Sequence, residues 1–111
     1  MLILRCGENF ALCKRPGRGL LADLWQFPDC LGALTSEQVL NAVRTMGMEP
    51  TNILRQSERS HVFTHVQWNM RGYYLEVRNQ APEFLWVNAD QIDRNYALPT
   101  AYRQFWDSKD I

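Results

Sequence analysis

The sequence predicts a single α+β domain, from its length, its composition and its side-chain periodicity. A chain of 111 residues is long enough to bury one hydrophobic core without metals or disulfides. Its apolar fraction of 46% and aromatic fraction of 12% are typical of a folded globular protein. Strand-like alternation occurs on both sides of a helix with clear capping signals, and no repeat or linker divides residues 1–111. We therefore expect one domain over the whole chain.

Two strands open the chain. Met1–Cys6 and Phe10–Lys14 are predicted strands, and the turn residues Gly7-Glu8-Asn9 join them as a hairpin. In the second strand large side chains alternate with small ones, so one of its faces is expected to be bulkier than the other.

A stretch of large apolar side chains follows at Leu20–Pro28 and is expected to anchor one face of the core. Pro28 has no amide hydrogen to give to a sheet, so the stretch must end there or lie at an edge. A basic segment precedes it, in which Gly17-Arg18-Gly19 offers backbone N–H groups of the kind that bind phosphate.

The clearest helix begins after Thr35. Thr35 and Gln38 have the spacing of a capping box, and apolar residues recur at helical spacing from Val39 to Met46. Gly47 then supplies a C-terminal stop. The pattern predicts a helix over residues 36–46.

The next predicted strands are Asn52–Gln56 and a longer one ending at Val77. Apolar side chains alternate with polar ones from Val66 to Met70, as in a half-buried strand, and the apolar side shifts by one position past Gly72. We predict a bulge at Arg71-Gly72 that keeps one long strand facing the core. A tight hairpin at the same place is the alternative.

Three short elements complete the chain. Phe84–Val87 is predicted as a strand, and Asn88 with Gln91 indicates a capped helical turn. A last helix is expected to begin near Pro99, a residue tolerated in a first turn, and to run through Trp106.

Charge and cysteine content limit the class of protein. The formal net charge is zero, which argues against a stand-alone, high-affinity nucleic-acid binder. No apolar run approaches the length of a membrane span and no secretory pattern opens the chain. Three cysteines, an odd number without metal-ligand spacing, indicate reduced thiols, so we expect a cytoplasmic protein without membrane partners.

General catalytic arrangements are weakly represented. His61 and His65 lie four residues apart in a strand-like segment, without the Cys or Glu that would complete a metal site. Cys13 or Cys30 would act as a nucleophile only with a base nearby in space. We predict no catalytic residue and no metal ligand in this chain.

Four segments together resemble the C-terminal domain of MutY-type adenine DNA glycosylases, which has the Nudix (MutT-like) fold. They are Gly-Leu-Leu-Ala-x-Leu-Trp-x-Phe-Pro at 19–28, Val-Phe-Thr-His at 62–65 followed by Trp68, Trp-Val at 86–87, and Ala-Leu-Pro-Thr-Ala at 97–101. The matches extend from about Cys6 to Trp106. The resemblance implies a mixed β-sheet packed with α-helices.

The resemblance also implies a function in base excision repair. MutY-type enzymes remove adenine mispaired with 8-oxoguanine in double-stranded DNA, and their C-terminal domain helps to recognise the lesion. The catalytic domain, with its helix-hairpin-helix motif and [4Fe–4S] cluster, would precede residues 1–111 and is expected to be their partner. The chain alone is therefore expected to carry no cofactor and to excise no base.

The predicted helix departs from the pattern of Nudix hydrolases. These enzymes hold a divalent metal with Arg-Glu and Glu-Glu pairs on the helix before a glycine. If that glycine is Gly47, the pairs are replaced by Leu40-Asn41 and Arg44-Thr45. Glu37 is the only acid between positions 31 and 48, so no shift of the alignment restores the metal ligands.

Residues 63–65 are the candidates for lesion recognition. The hydroxyl of Thr64 can both donate and accept, which suits the altered ring edge of 8-oxoguanine. Phe63 is a candidate wedge between bases, with core packing as its alternative role. His65 is expected either to contact phosphate or to orient the loop.

The candidates for DNA-phosphate contacts are basic residues in two groups. The first group is Lys14, Arg15 and Arg18, and the second is Arg59 and Arg71, which flank residues 63–65 together with Arg55. We expect the two groups to share one face toward DNA phosphates. Two other functions remain open at this point. They are a stand-alone Nudix-type hydrolase of nucleoside diphosphate derivatives and a Nudix-fold protein-interaction module.

Overall fold

A computed structural model describes residues 1–14, 24–29, 35–63 and 65–111, with the backbone alone at positions 61, 63 and 68. Several residues singled out above lie outside this part of the chain: Arg15, Gly17, Arg18, Gly19, Leu20, Leu21, Cys30 and Thr64.

The described strands form a mixed sheet in the order β3-β2-β1-β5-β4, with β6 paired to β2. The strands are β1 (Leu2–Cys6), β2 (Asn9–Lys14), β3 (Trp25–Gln26), β4 (Pro50–Phe63), β5 (Val66–Val77) and β6 (Leu85–Asn88). β1 and β5 are parallel, while the other pairs are antiparallel. The mixed sheet expected from the resemblance is confirmed.

The helices are α1 (Ser36–Thr45), α2 (Ala89–Asn95) and α3 (Thr100–Asp107). Both predicted capping boxes form. The side chain of Thr35 accepts from the backbone N–H of Gln38, and the side chain of Asn88 accepts from the backbone N–H of Gln91. Gly47 follows α1 with φ of 92°, a conformation that glycine adopts readily. No helix in the described ranges is long and apolar enough to span a bilayer.

The sheet is buried on both faces. One cluster joins it to α2 and α3 and includes Ile3, Phe10, Leu12, Phe27, Tyr74, Phe105 and Trp106. The other joins its opposite face to α1 and includes Leu2, Leu4, Ala11, Val39, Val43, Leu75 and Val77. As predicted for β2, the bulky side chains face one cluster and the small Ala11 faces the other. The result is a sheet between two helical layers in a single α+β domain.

The predicted bulge at Arg71-Gly72 is wrong, although the single long strand is confirmed. β4 and β5 pair in unbroken register from the pair Ser57 with Gly72 to the pair Phe63 with Val66. The irregularities lie in β4, between Pro50 and Asn52 and between Ile53 and Arg55. No slip is needed because β5 is covered on both faces beyond Gly72. The apolar side shifts in the sequence because both faces of β5 are buried there, one against α1 and the other against α3.

Two other boundaries differ from expectation. β4 begins at Pro50, two residues before the predicted start at Asn52, and continues seven residues beyond Gln56 to Phe63. The extra length of β4 pairs with the first half of β5. We call residues 57–63 and 66–72 the ribbon, and Phe63–His65 its tip.

Candidate nucleic-acid interface

The outer part of the ribbon projects from the body of the domain. The register pairs Phe63 with Val66, so β4 ends and β5 begins at this outer end of the ribbon. Val62 is 62% exposed and Val66 is 53% exposed, and most other described side chains of the outer ribbon are also exposed. The outer ribbon is therefore open to solvent on its described side chains. Val66 does not have the half-buried environment that its alternation predicts.

Two of the three candidate recognition residues, Phe63 and His65, lie where β4 ends and β5 is about to begin. The backbone of Phe63 ends β4, and His65 is an exposed turn residue directly before β5. Thr64, between them, lies outside the described residues. Their suggested roles toward a lesion stay predictions.

Arg59 and Arg71 lie on opposite faces of the ribbon. Arg59 pairs with Met70, and Arg71 pairs with Glu58, one position along each strand. Because side chains alternate between faces, neighbouring register pairs point in opposite directions. The expectation that all the arginines share one face is therefore wrong for these two, while a phosphate contact by either stays a prediction.

Arg71 is engaged by the ribbon itself. Its Nη2 lies 2.7 Å from Oε1 of Glu58, and its Nε donates to the same oxygen at 2.9 Å. A side-chain hydrogen bond with Tyr73 and the pairing with Glu58 raise the pKa of Arg71 above its ordinary value. The positive charge of its guanidinium is offset by the neighbouring Glu58 carboxylate.

Arg59 is more available. Its side chain is exposed, and its Nη1 donates to the backbone oxygen of Glu58 at 2.8 Å. A backbone carbonyl carries no formal charge, so this contact does not offset the charge of Arg59. Arg59 has the better-placed cation for a phosphate.

Arg55 has a structural contact that the sequence did not indicate. Its Nη1 donates to the backbone oxygen of Ser108 at 2.8 Å, across 53 residues of sequence. Its Cζ also lies 5.8 Å from the centroid of the Tyr74 ring. Arg55 thus joins the base of the ribbon to the end of α3 rather than standing free beside the tip.

Lys14 lies at the end of the sheet toward which the ribbon projects. β1 is parallel to β5, with Leu2 opposite Tyr73, so the beginning of β1 faces the ribbon end. β2 runs antiparallel to β1, which places its last residue, Lys14, at that same end. Lys14 is exposed and pairs with Trp25 of β3. Of that basic group the structure describes Lys14 alone, and it lies at the ribbon end of the sheet.

If Gly47 is the glycine of the Nudix pattern, α1 is the helix that would carry the metal ligands. At its C-terminal half the Arg44 side chain donates to Oδ1 of Asn41 at 2.8 Å, and Thr45 Oγ1 donates to the Asn41 backbone oxygen at 3.0 Å. Neither amide nor guanidinium replaces the charged carboxylate oxygens that a divalent metal on diphosphate requires. Among the described residues, no group of three or more acidic, His or Cys side chains is placed to hold a metal ion. The residues of α1 do not fit the metal of Nudix catalysis.

The fold, a mixed sheet between helices, defines the class of protein. The family model of the NUDIX domain matches residues 1–108, and the chain belongs to this family. Two curated proteins that are similar in sequence to this chain are adenine DNA glycosylases. The adenine DNA glycosylase of Rattus norvegicus is 27% identical over 110 residues, covering 88% of this chain and 21% of that protein. The adenine DNA glycosylase of Homo sapiens is 32% identical over 82 residues, covering 68% of this chain and 15% of that protein.

These matches support the resemblance drawn from the sequence motifs. The chain nevertheless spans only about a fifth of the length of the rat protein and less of the human one.

Proposed function

We propose that residues 1–111 form the 8-oxoguanine-recognition domain of an adenine DNA glycosylase, which excises adenine paired with 8-oxoguanine. The observation that carries the proposal is the exposed ribbon in a NUDIX domain whose curated relatives are adenine DNA glycosylases. A two-stranded ribbon can enter a groove of duplex DNA and present its tip to base edges.

In this proposal the tip reads the lesion. Relative to guanine, 8-oxoguanine gains an exocyclic oxygen, and one ring acceptor becomes an N–H donor. The hydroxyl of Thr64 can accept from that N–H, which guanine cannot provide. Phe63 wedges against a base step, and the exposed His65 contacts phosphate or orients the loop.

Phosphate contacts hold the ribbon on the duplex. Arg59 offers an exposed guanidinium on one face, and Lys14 lies at the same end of the sheet. Arg15 and Arg18 follow Lys14 directly in the sequence, while Arg71 would contact phosphate only in competition with Glu58. Such contacts position the protein and carry no sequence information.

Adenine excision belongs to a catalytic domain outside residues 1–111, which is the proposed partner domain. The resemblance to MutY-type enzymes implies that the [4Fe–4S] cluster of the parent enzyme would lie in that other domain. The alternative of a stand-alone Nudix hydrolase is disfavoured by the composition of α1. A protein-interaction role has no specific observation in its favour.

Chemical-shift mapping tests the proposal. The chain is titrated at low salt with a duplex containing one 8-oxoguanine·adenine pair, and with the same duplex containing guanine·adenine. We expect the largest amide shifts at the ribbon and its tip, and tighter binding of the lesion duplex. Shifts confined to α1 or α2, or equal binding of both duplexes, would contradict it.

A further inference from the structure

The base of the ribbon and the last turn of α3 are joined by two side-chain donors. Arg55 in β4 and Tyr74 in β5 are directly opposite in the register and therefore lie side by side on one face. Tyr74 Oη donates to the backbone oxygen of Phe105 at 2.6 Å, and Arg55 Nη1 donates to that of Ser108 at 2.8 Å. Each strand of the hairpin thus provides one donor to the same helix end.

Both acceptors suit these donors. The last carbonyls of a helix lack partners within the helix and carry the negative end of its dipole, which favours a cation such as Arg55. Tyr74 is fully buried, and burial raises the pKa of its phenol, so the hydroxyl keeps its proton and remains a donor. The two contacts satisfy carbonyl groups that would otherwise require water.

The next register pair on the same face, two positions toward the tip, also contacts α3. Gly72 lies opposite Ser57, and a Cβ atom built on Gly72 would lie 2.6 Å from Cδ1 of Phe105. Ser57 is 8% exposed, whereas the three residues that follow it in β4 are exposed. The ribbon therefore leaves the body of the domain immediately beyond this contact with α3.

Because the ribbon is long, a small rotation at its base moves its tip by a large distance. Ser57 and Phe63 are six positions apart, which corresponds to about 20 Å at roughly 3.3 Å per residue. A tilt of about 5° at the base would move the tip by about 2 Å over that length. A displacement of this size is enough to lose a hydrogen bond.

We propose that Arg55 and Tyr74 are positioning residues for lesion recognition. By holding the end of α3 against the base of the ribbon, they fix the direction in which the ribbon leaves the sheet. They thereby set where the tip meets a base. The proposal rests on the proposed function, because the direction of the ribbon affects recognition only if its tip reads the lesion. It assigns no contact with DNA to either residue.

Two single substitutions test it, with a charge control. Tyr74→Phe removes one donor without changing the charge, and Arg55→Met removes the other with a side chain that still packs. Arg55→Lys restores a cationic donor. Arg78→Met removes one exposed positive charge at the opposite end of β5 and controls for general electrostatic effects.

Two measurements are made on the 111-residue chain. Amide hydrogen exchange reports the opening of the ribbon, with β1 and α1 as internal references. Competition binding reports the affinity for an 8-oxoguanine·adenine duplex relative to a guanine·adenine duplex. In Tyr74→Phe and Arg55→Met we expect faster ribbon exchange and a lower lesion preference, each by about two- to tenfold, the range for loss of one hydrogen bond. Arg55→Lys should recover most of both, and Arg78→Met should change neither.

The outcomes separate this proposal from the function on which it rests. If the wild-type chain shows no lesion preference, the proposed function fails and the positioning role fails with it. If the wild-type chain shows the preference and the Tyr74→Phe and Arg55→Met variants keep it, the positioning role alone is overturned. Equal acceleration of exchange in β1, α1 and the ribbon would indicate a purely structural role and would also overturn it.

Discussion

The arginines in the ribbon and at its base differ in how strongly the fold already holds them. Arg55 is bonded to the end of α3 and Arg71 to Glu58, whereas Arg59 makes a local backbone contact and is exposed. The sequence predicts all three simply as basic residues near the tip. It cannot predict their difference, because the partner of Arg55 lies 53 residues away and the face of each side chain depends on the register.

Arg59 should therefore contribute more to DNA binding than Arg71. Arg59→Gln is expected to weaken binding of lesion and undamaged duplexes equally and to lower the salt slope of binding by about 1. Arg71→Gln removes the same charge but one already offset by Glu58, so its effect should be smaller. Anisotropy titrations at several salt concentrations measure both, and a larger loss for Arg71→Gln would reverse this ranking.

Thr64 should determine the preference for the lesion. Thr64→Val keeps the shape of the side chain but removes its donor and acceptor, so the preference for 8-oxoguanine·adenine should fall by about 1–3 kcal/mol, the worth of one good base contact. Thr64→Ser retains the hydroxyl and should keep most of that preference. Phe63→Ala should weaken binding of both duplexes, since a wedge does not depend on the altered ring edge. An unchanged preference in Thr64→Val would make Thr64 a structural residue.

Whole elements followed from the sequence where local chemistry sets them. The capping boxes of α1 and α2 are visible as Thr35 with Gln38 and Asn88 with Gln91, and both form. The outer half of β4 was missed because residues 57–61, Ser-Glu-Arg-Ser-His, have no apolar alternation. Such a strand is defined by its pairing with β5 and not by a buried face, so its own sequence carries little signal.

Gly72 is the residue on which the packing of α3 against β5 depends. In Gly72→Ala the new Cβ would lie 2.6 Å from the Phe105 ring, so this element contact must open. We expect a loss of about 1–3 kcal/mol in the free energy of unfolding, typical of overpacking in a core. Urea denaturation measures it. Combining Gly72→Ala with Phe105→Leu should cost less than the sum of the two single changes, and strict additivity would argue against the steric explanation.

The residues of α1 predict that the chain has no nucleotide-hydrolase activity. Because the helix lacks the carboxylates that bind metal in Nudix hydrolases, the chain should not hydrolyse 8-oxo-dGTP or other nucleoside triphosphates with magnesium or manganese. A phosphate-release assay tests this directly. Turnover above a buffer blank that disappears in Glu37→Ala would refute it, since Glu37 is the acid that α1 does contain. The chain alone should likewise release no adenine from a lesion duplex.

The molecule as a whole is neutral, and its binding should depend on a few local charges. The net charge is zero, while the ribbon and Lys14 lie toward one end of the sheet. We expect weak binding of duplex DNA that falls as salt rises, with a slope corresponding to few phosphate contacts. Titrations between low and physiological ionic strength measure this slope. Binding that does not respond to salt would show that phosphate contacts are not involved.

The central claim is that this NUDIX domain distinguishes 8-oxoguanine from guanine. The most direct test is a competition titration of the 111-residue chain at low salt. A labelled 8-oxoguanine·adenine duplex is displaced by unlabelled duplexes that differ only in carrying 8-oxoguanine or guanine opposite adenine. We predict that the lesion duplex competes better by about 1–3 kcal/mol, roughly five- to 150-fold in affinity. Equal competition by the two duplexes would contradict the claim.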